Sequence, residues 1–323
     1  MRLAITGATG FVGSAVLEEA LANLHFVQAL TRRPNPRQKL LKERKLAGGE
    51  IPRDGVEWVE GTLDEMGALR ELCDGMDAVI HIAGLTNTPD IAQFETANVK
   101  GTANVIEAAK RAKVRKFVFV SSLSARKPEL SAYGASKALA EELVKASKLD
   151  WTIVRPPAVY GPRDVDMFEL FRSAKMGVVP LPPAGATSII HVKDLAELLI
   201  ALSDTMPLKG PSPIIRKVYE PDDGREGGWS HKELARAIGK AMGRARVFAP
   251  HLPANALTIA AKADKRLRGD KAKLTADRVG YMCHPNWVSR SDRAVPYDIW
   301  EPQISGEEGL KQTAEWYRAE GWL

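Results

Sequence analysis

The stretch Thr6-Gly7-Ala8-Thr9-Gly10-Phe11-Val12-Gly13-Ser14 decides how the rest of the chain is read. It follows an apolar run at residues 3–6 and opens a helical pattern at residues 12–23. Its glycines recur at every third position, and each lacks a side chain for a reason. Gly7 permits the tight turn from strand to helix, Gly10 lets backbone approach a ligand with no Cβ in the way, and Gly13 lets helix and strand pack closely. A helix begins with unpaired N–H groups and the positive end of its dipole. The turn therefore predicts an anion held by Gly7, Thr9, Gly10, Phe11, Val12 and Gly13. A glycine pattern alone marks many turns. Directly after an N-terminal strand and inside a β-α-β unit, it marks a seat for the pyrophosphate of a dinucleotide.

Outward from that turn, β-branched runs at 26–31, 56–60, 78–81, 116–121 and 151–155 alternate with helical patterns at 65–72, 96–112 and 135–147. Alternation of this kind reads as a parallel sheet covered by helices. The predicted class is α/β, a Rossmann doubly wound parallel sheet with a smaller, mostly C-terminal substrate lobe. Beyond Pro156 the pattern loosens, with turns at 180–185, 210–213 and 221–228, and the chain is expected back at the sheet around 189–202 and 217–219. The lobes would then interleave: 1–162 and about 188–220 in the dinucleotide-binding domain, about 163–187 and 221–323 in the substrate lobe. A charge run from Arg37 to Arg44 reads as a solvated helix or loop.

Composition excludes several classes. With 45% hydrophobic and 27% charged residues, the 323-residue chain has the makeup of a soluble globular protein. No apolar run approaches the roughly 18 residues of a membrane span. Met1-Arg2-Leu3 enters a strand without the regions of a signal peptide, so a cytoplasmic protein with no membrane span is expected. Cys73 and Cys283 belong to no metal-ligand spacing, which predicts neither a disulfide framework nor a metal site. The net charge of +6 is scattered, so the expected partner is a small-molecule substrate and not nucleic acid.

The second strand runs into Thr31-Arg32-Arg33, and Thr31 stands 18 residues after Gly13 (31 minus 13). An acid near that place would hold the ribose diol of NAD. A hydroxyl and two guanidinium groups suit the extra phosphate of NADP instead, because Arg pairs bidentately with phosphate oxygens. NADP is the favoured cofactor and NAD the alternative; as plain surface charges, Arg32 and Arg33 would bear on neither.

Tyr133-Gly134-Ala135-Ser136-Lys137 places a phenol and an ammonium one helical turn apart. Such an ammonium, with the cofactor's own positive charge, is expected to lower the tyrosine pKa from about 10 so that the phenol exchanges a proton with a carbonyl or carbinol oxygen. Just upstream, Ser121-Ser122-Leu123-Ser124 offers hydroxyls at the C-terminal edge of the sheet. In extended chain Ser122 and Ser124 face one way and Ser121 the other. Ser122 is taken as the residue that polarises the substrate oxygen, and Ser121 and Ser124 stay open. By chance alone the tyrosine would pack in a core, the lysine would lie in solvent, and the hydroxyls would be turn caps.

Taken together, TGATGFVG, the segment Asp77–Gly84, Asn98-Val99-Lys100-Gly101-Thr102, the serine cluster, YGASK and Arg155-Pro156 through Pro162 resemble the short-chain dehydrogenase/reductase superfamily, in its extended and atypical branch, the NAD-dependent epimerase/dehydratase family. The resemblance extends over nearly the whole chain, through Ile190–Ala196 and Glu308–Tyr317. It implies that Leu63, Ala83, Gly84, Asn98, Tyr133, Lys137, Pro156 and Val159 lie along the cofactor, with Ser122, Tyr133 and Lys137 catalytic. It also implies a possible homodimer through the helices around 99–112 and 135–147. His81 and His191 read as structural, and Asn98 also suits a helix cap. Some departures narrow the function. Gly61-Thr62-Leu63 lacks the acid usual after the third strand, which puts adenine contact there in doubt. Ala158 replaces an asparagine that meets a sugar's diphosphate, and Leu123 and Ser124 replace the acid and base of the dehydratases.

The function expected is an NAD(P)-dependent oxidoreductase, a reductase or dehydrogenase that passes hydride between nicotinamide and a carbonyl or alcohol of a small molecule. A sugar epimerase using tightly bound NAD is one alternative. A non-catalytic structural or redox-sensor protein that keeps the cofactor is another, and the intact Tyr133 and Lys137 argue against it. Met167, Phe168 and Phe171 read either as lining for an apolar ligand or as helix core.

Overall fold

The computed structural model describes residues 1–33, 55–205, 214–269 and 272–323. The charge run from Arg37 to Arg44 and the turn at 210–213 lie outside the described residues. Seven strands form one sheet in the order β10-β6-β5-β4-β1-β2-β3. They are β1 (Arg2–Thr6), β2 (Phe26–Thr31), β3 (Val56–Glu60), β4 (Ala78–His81), β5 (Lys116–Val120), β6 (Asp150–Val154) and β10 (Lys217–Tyr219). Every pairing among them is parallel. A parallel sheet is buried on both faces, which is why β4 and β5 read as nearly unbroken apolar runs without alternation.

Helices α1 (Phe11–Ala22), α2 (Met66–Cys73), α3 (Gly101–Arg111) and α4 (Ala132–Ala146) follow their strands. One core packs Ile5, Val16 and Leu17 with Leu198 and Leu199 of α6 (Val192–Thr205). The other packs Leu69, Leu72, Val105, Phe117 and Val144 on the opposite face. The chain leaves β1 toward β2 and β3, then crosses back to β4 on the other side of β1. That reversal opens a crevice beyond the C-terminal ends of β1 and β4, where such sheets bind ligands.

Two local starts differ from the expected ones. The helix expected at 135 begins at Ala132, because Ser131 caps it with a side-chain bond from the Gly134 N–H, and this draws Tyr133 into the first turn. The helix expected at 96 is preceded by one turn at Ala92–Phe94 and a π turn at Glu95–Lys100. Of the expected returns to the sheet, β10 pairs with β6, whereas β9 (Ile189–His191) pairs with β7 (Ala158–Tyr160) in a two-stranded sheet of its own.

The remaining elements include β8 (Ala186–Thr187), β11 (Trp229–Ser230) and β12 (Asn286–Trp287), which form a three-stranded sheet. Around it lie α5 (Phe168–Lys175), α7 (His231–Ala241), α8 (Ala254–Arg268), α9 (Ala276–Met282) and α10 (Gly306–Ala319). Met167 and Phe171 are buried with Tyr160, Leu234 and Tyr317, and Phe168 packs edge-on against Tyr317. All three are therefore core of this region, and none lines the crevice beyond β1 and β4.

Candidate active site

The crevice is a cleft of about 880 Å³ whose walls include Gly7, Thr9, Gly10, Phe11, Val12 and Gly13. Close approach explains the glycines. A Cβ on Gly13 would lie 2.0 Å from the Gly7 carbonyl oxygen, and one on Gly7 would lie 2.7 Å from the Ala83 nitrogen. Gly7 also has φ +78°, which favours glycine. No side chain caps α1, and no acid sits in its first turn. Its leading N–H groups are left for an anion in the cleft, so the chain's residues fit a dinucleotide pyrophosphate.

Across the cleft stand Ser122, Tyr133 and Lys137. Ser122 begins a short 3₁₀ turn, accepting from the Ser124 N–H at 3.2 Å and from the Ser124 hydroxyl at 2.8 Å. Ser122 also favours the ionised form of the Tyr133 phenol, though less than burial opposes it. Ser121 points the other way and donates to buried Glu141 at 2.6 Å. Tyr133 is flanked by the rings of Phe94 and Tyr281, at 5.8 and 6.2 Å. Lys137 is buried, with Nζ donating to the Val120 carbonyl at 2.7 Å and lying 4.6 Å from the Phe119 ring centre.

These surroundings correct one expectation. Burial pushes the Tyr133 phenol up to about 12, against the smaller opposing effect of Ser122. The Lys137 ammonium, directed at a backbone carbonyl, does not reverse this. Burial also pulls Lys137 down to about 8, with Glu141 opposing. In the protein alone, Tyr133 is thus a neutral phenol at physiological pH.

Arg32, Leu63, Ala83, Gly84, Pro156 and Val159 line the same cleft. Thr31, Arg33 and Asn98 do not. The Thr31 hydroxyl is turned inward, donating to the Arg33 carbonyl at 3.1 Å and accepting its N–H at 3.2 Å. Asn98 lies behind the wall, bonding Leu85 N–H at 2.7 Å, the Leu85 carbonyl at 2.9 Å and Ser136 at 2.9 Å. A Cβ on Gly84 would sit 2.8 Å from its oxygen, so Asn98 shapes the loop that carries Ala83 and Gly84. His81 is buried between the hydroxyls of Thr6 at 2.6 Å and Thr102 at 3.0 Å; burial, then Lys137, pulls it down to about 3, which leaves it neutral and structural.

Several residues at the site were not singled out by the sequence reading, although those from Asp164 onward and from Trp229 onward lie in the segments expected to line the pocket. Asp64 lines the cleft next to Leu63, while Thr62 spends its hydroxyl on Glu65 at 3.0 Å. Asp164, Val165 and Asp166 form part of the far wall, where Asp166 pairs with Arg278 at 3.2 Å. From α9, Asp277 accepts the N–H groups of Ala132 and Tyr133, and Tyr281 packs against Tyr133. The one local signal was Thr275-Ala276-Asp277-Arg278, a helix start, which carries no hint that this helix touches Tyr133.

Residues 7–203 match the model of a family described as NAD(P)H-binding. The chain is 34% identical to the ceramide reductase of Caulobacter vibrioides over 99% of its own length and 96% of that protein's. It is 27% identical to the 2-alkyl-3-oxoalkanoate reductase of Stenotrophomonas maltophilia, over 97% and 98% of the two chains. Among solved structures, UDP-glucuronic acid 4-epimerase from Bacillus cereus in complex with NAD superposes with a TM-score of 0.72, at 18% identity and covering 98% and 99%, which shows a shared fold.

Proposed function

The chain belongs to the NAD(P)H-binding family, within the short-chain dehydrogenase/reductase superfamily, and from that premise we propose that it reduces a ketone on a long-chain substrate with NADPH, using Tyr133 as the proton donor. The chain is an NAD(P)-dependent oxidoreductase. The observation that carries the finer reading is the neutral Tyr133 phenol, which shares with Ser122 and Lys137 the cleft that the Gly7–Gly13 turn closes.

NADPH supplies the hydride when bound. The residues lining the Gly7–Gly13 turn would hold its pyrophosphate, Arg32 its extra phosphate, and Lys137 the ribose beside the nicotinamide. Neutral Tyr133 is poised to give its proton to the ketone oxygen as charge builds there. Ser122 shares the cleft with Tyr133, where its hydroxyl would help polarise that oxygen. Supporting the substrate class, the relatives are a ceramide reductase and a 2-alkyl-3-oxoalkanoate reductase, and the cleft wall includes Leu85 and Val165. Ala158 on β7 removes a donor suited to a sugar diphosphate. We also place the enzyme in the cytoplasm, where the free thiols of Cys73 and Cys283 persist. Exposed Leu139 on α4 would be covered in a homodimer.

The test is NADPH oxidation by 3-oxo lipids set against UDP-sugars. Turnover of the lipid ketone, with a loss of about 10²- to 10⁴-fold in Tyr133→Phe, is expected. Interconversion of a UDP-sugar with no net cofactor turnover would replace this reading with epimerase.

A further inference from the structure

Helix α8 (Ala254–Arg268) is the least buried long helix of the C-terminal region. Only Leu257 and Ala261 are buried on it, packed on Val279 of α9 with Leu252 and Leu274. At about 100° per residue, Ala256, Ile259, Ala260, Ala263 and Leu267 fall in one sector of roughly 100° that points away from this contact. Ile259 is 68% and Leu267 84% exposed. Along the next sector lie Lys262, Lys265 and Arg266, exposed and without an ion pair among the described residues. The single acid of the helix, Asp264, is engaged by Arg268 at 3.2 Å and by the N–H groups of Lys273 and Leu274.

We infer that α8 docks the protein on an anionic membrane surface, with Ile259 and Leu267 entering the headgroup boundary and Lys262, Lys265 and Arg266 meeting lipid phosphates. An apolar stripe beside a row of unpaired cations on one exposed helix is the pattern of a helix lying in a membrane interface. The stripe is convex and mostly alanine, with no aromatic anchor and no groove, so it offers little to a protein partner, whose binding energy concentrates in buried aromatic and arginine anchors. No helix among the described residues is long and apolar enough to cross a membrane, which leaves contact with the surface. The placement has a use. From α8 the chain runs on to α9, whose Tyr281 meets Tyr133. Between the two helices, Asn87, next to the cleft residue Thr86, bonds Ala272 and Thr275. Docking through α8 would hold at the bilayer the segment that leads to Tyr281 and its contact with Tyr133. The inference stands on α8 alone and holds whatever ketone is reduced.

The experiment is flotation of the full chain with vesicles of phosphatidylcholine, with and without phosphatidylglycerol. The expected result is binding to the anionic vesicles only, weakened about tenfold by raised salt, since surface charge is screened within a Debye length. Lys262→Glu with Arg266→Glu, and separately Ile259→Asn with Leu267→Asn, should each abolish flotation while the thermal midpoint stays unchanged. Wild-type protein that fails to float overturns the inference, as does a folded variant that still floats. So does a solution mass that halves in Ile259→Asn with Leu267→Asn, which would assign the stripe to a second copy of the chain.

Discussion

Asp277 accepts the backbone N–H of Tyr133 at 3.3 Å, and its other oxygen accepts that of Ala132 at 2.5 Å. Those are the first two N–H groups of α4, and Ser131 takes the next two, with its side chain and carbonyl. A residue of the C-terminal region thus completes the cap of the helix that carries Tyr133 and Lys137. Removing it leaves two donors unpaired beside a helix dipole. Asp277→Ala should cost about 1–2 kcal/mol of stability by urea unfolding. It should also lower kcat roughly tenfold through misplacement of Tyr133. Asp277→Asn, which keeps an acceptor, should fall between. Unchanged unfolding and kcat in Asp277→Ala would show that the contact positions nothing.

Lys137 gives the protein a pH dependence with a definite sign. Burial holds its ammonium at about 8, below the ordinary 10.5, with Glu141 opposing. Between those values the unfolded chain binds more protons than the folded one, so stability rises with pH across that window. The full gain is about 3 kcal/mol, from 1.36 kcal/mol per pKa unit. Lys137→Met has no charge to lose, so wild type should gain up to about 3 kcal/mol relative to it as pH climbs from about 8 to 10.5. If the charged lysine holds the cofactor ribose, ketone reduction by wild type should decline above about pH 8. Tyr133, held near 12, stays protonated throughout. A decline centred instead near pH 10 would point to an unshifted tyrosine.

The legible parts were those in which one segment does its own work. Gly7, Gly10 and Gly13 sit within a strand, a turn and a helix start, and Tyr133 and Lys137 lie one turn apart, so spacing alone brings them to a face. What spacing could not give was direction. Lys137 turns to the Val120 carbonyl on a neighbouring strand and Thr31 turns back to its own turn, because each finds a partner there that sequence distance conceals. Asp277 and Tyr133 are 144 residues apart. Only the folded C-terminal region brings them together, and a short helix start such as Thr275–Arg278 looks the same wherever it docks. β9 was expected in the wrong sheet for a related reason: a strand as short as Ile189-Ile190-His191 fits either the main sheet or a small one, and the choice belongs to the partner β7.

Arg32 and Arg33 are separable by experiment. Arg32 lines the cleft and Arg33 does not. If the cofactor carries the extra phosphate, Arg32→Ala should weaken NADPH binding by about 1.5–3 kcal/mol, the range of a charge-assisted hydrogen bond, and leave NADH binding nearly unchanged. Arg33→Ala should do much less. Calorimetric titration of both variants with both cofactors is the measurement. Equal losses for NADPH and NADH in Arg32→Ala would turn the preference back to NAD.

Glu220 is fully buried and faces three guanidinium groups, with Arg126 at 3.1 Å, Arg290 at 3.2 Å and Arg155 at 3.3 Å. Arg155 in turn holds Glu141 at 2.7 Å, and Glu141 takes the hydroxyl of Ser121, next to Ser122. Burial disfavours the Glu220 carboxylate, but the bond from Arg290 and the charge of Arg126 outweigh it and keep its pKa below the usual range. A carboxyl depressed in this way contributes stability above its unfolded pKa, and that stability is lost as pH falls through the lower folded value. Glu220→Gln would leave the largely buried Arg126 without its counter-charge, while Arg155 keeps Glu141, at a cost of about 3 kcal/mol at neutral pH. Because the mutant has no carboxyl there to protonate, its stability should fall less steeply than that of wild type below about pH 4.5, near an unperturbed glutamate. Urea midpoints from pH 7 to pH 3 would show the two curves converging in acid. Parallel curves would mean that the arginines find other partners and that Glu220 does not anchor the floor beneath Ser122.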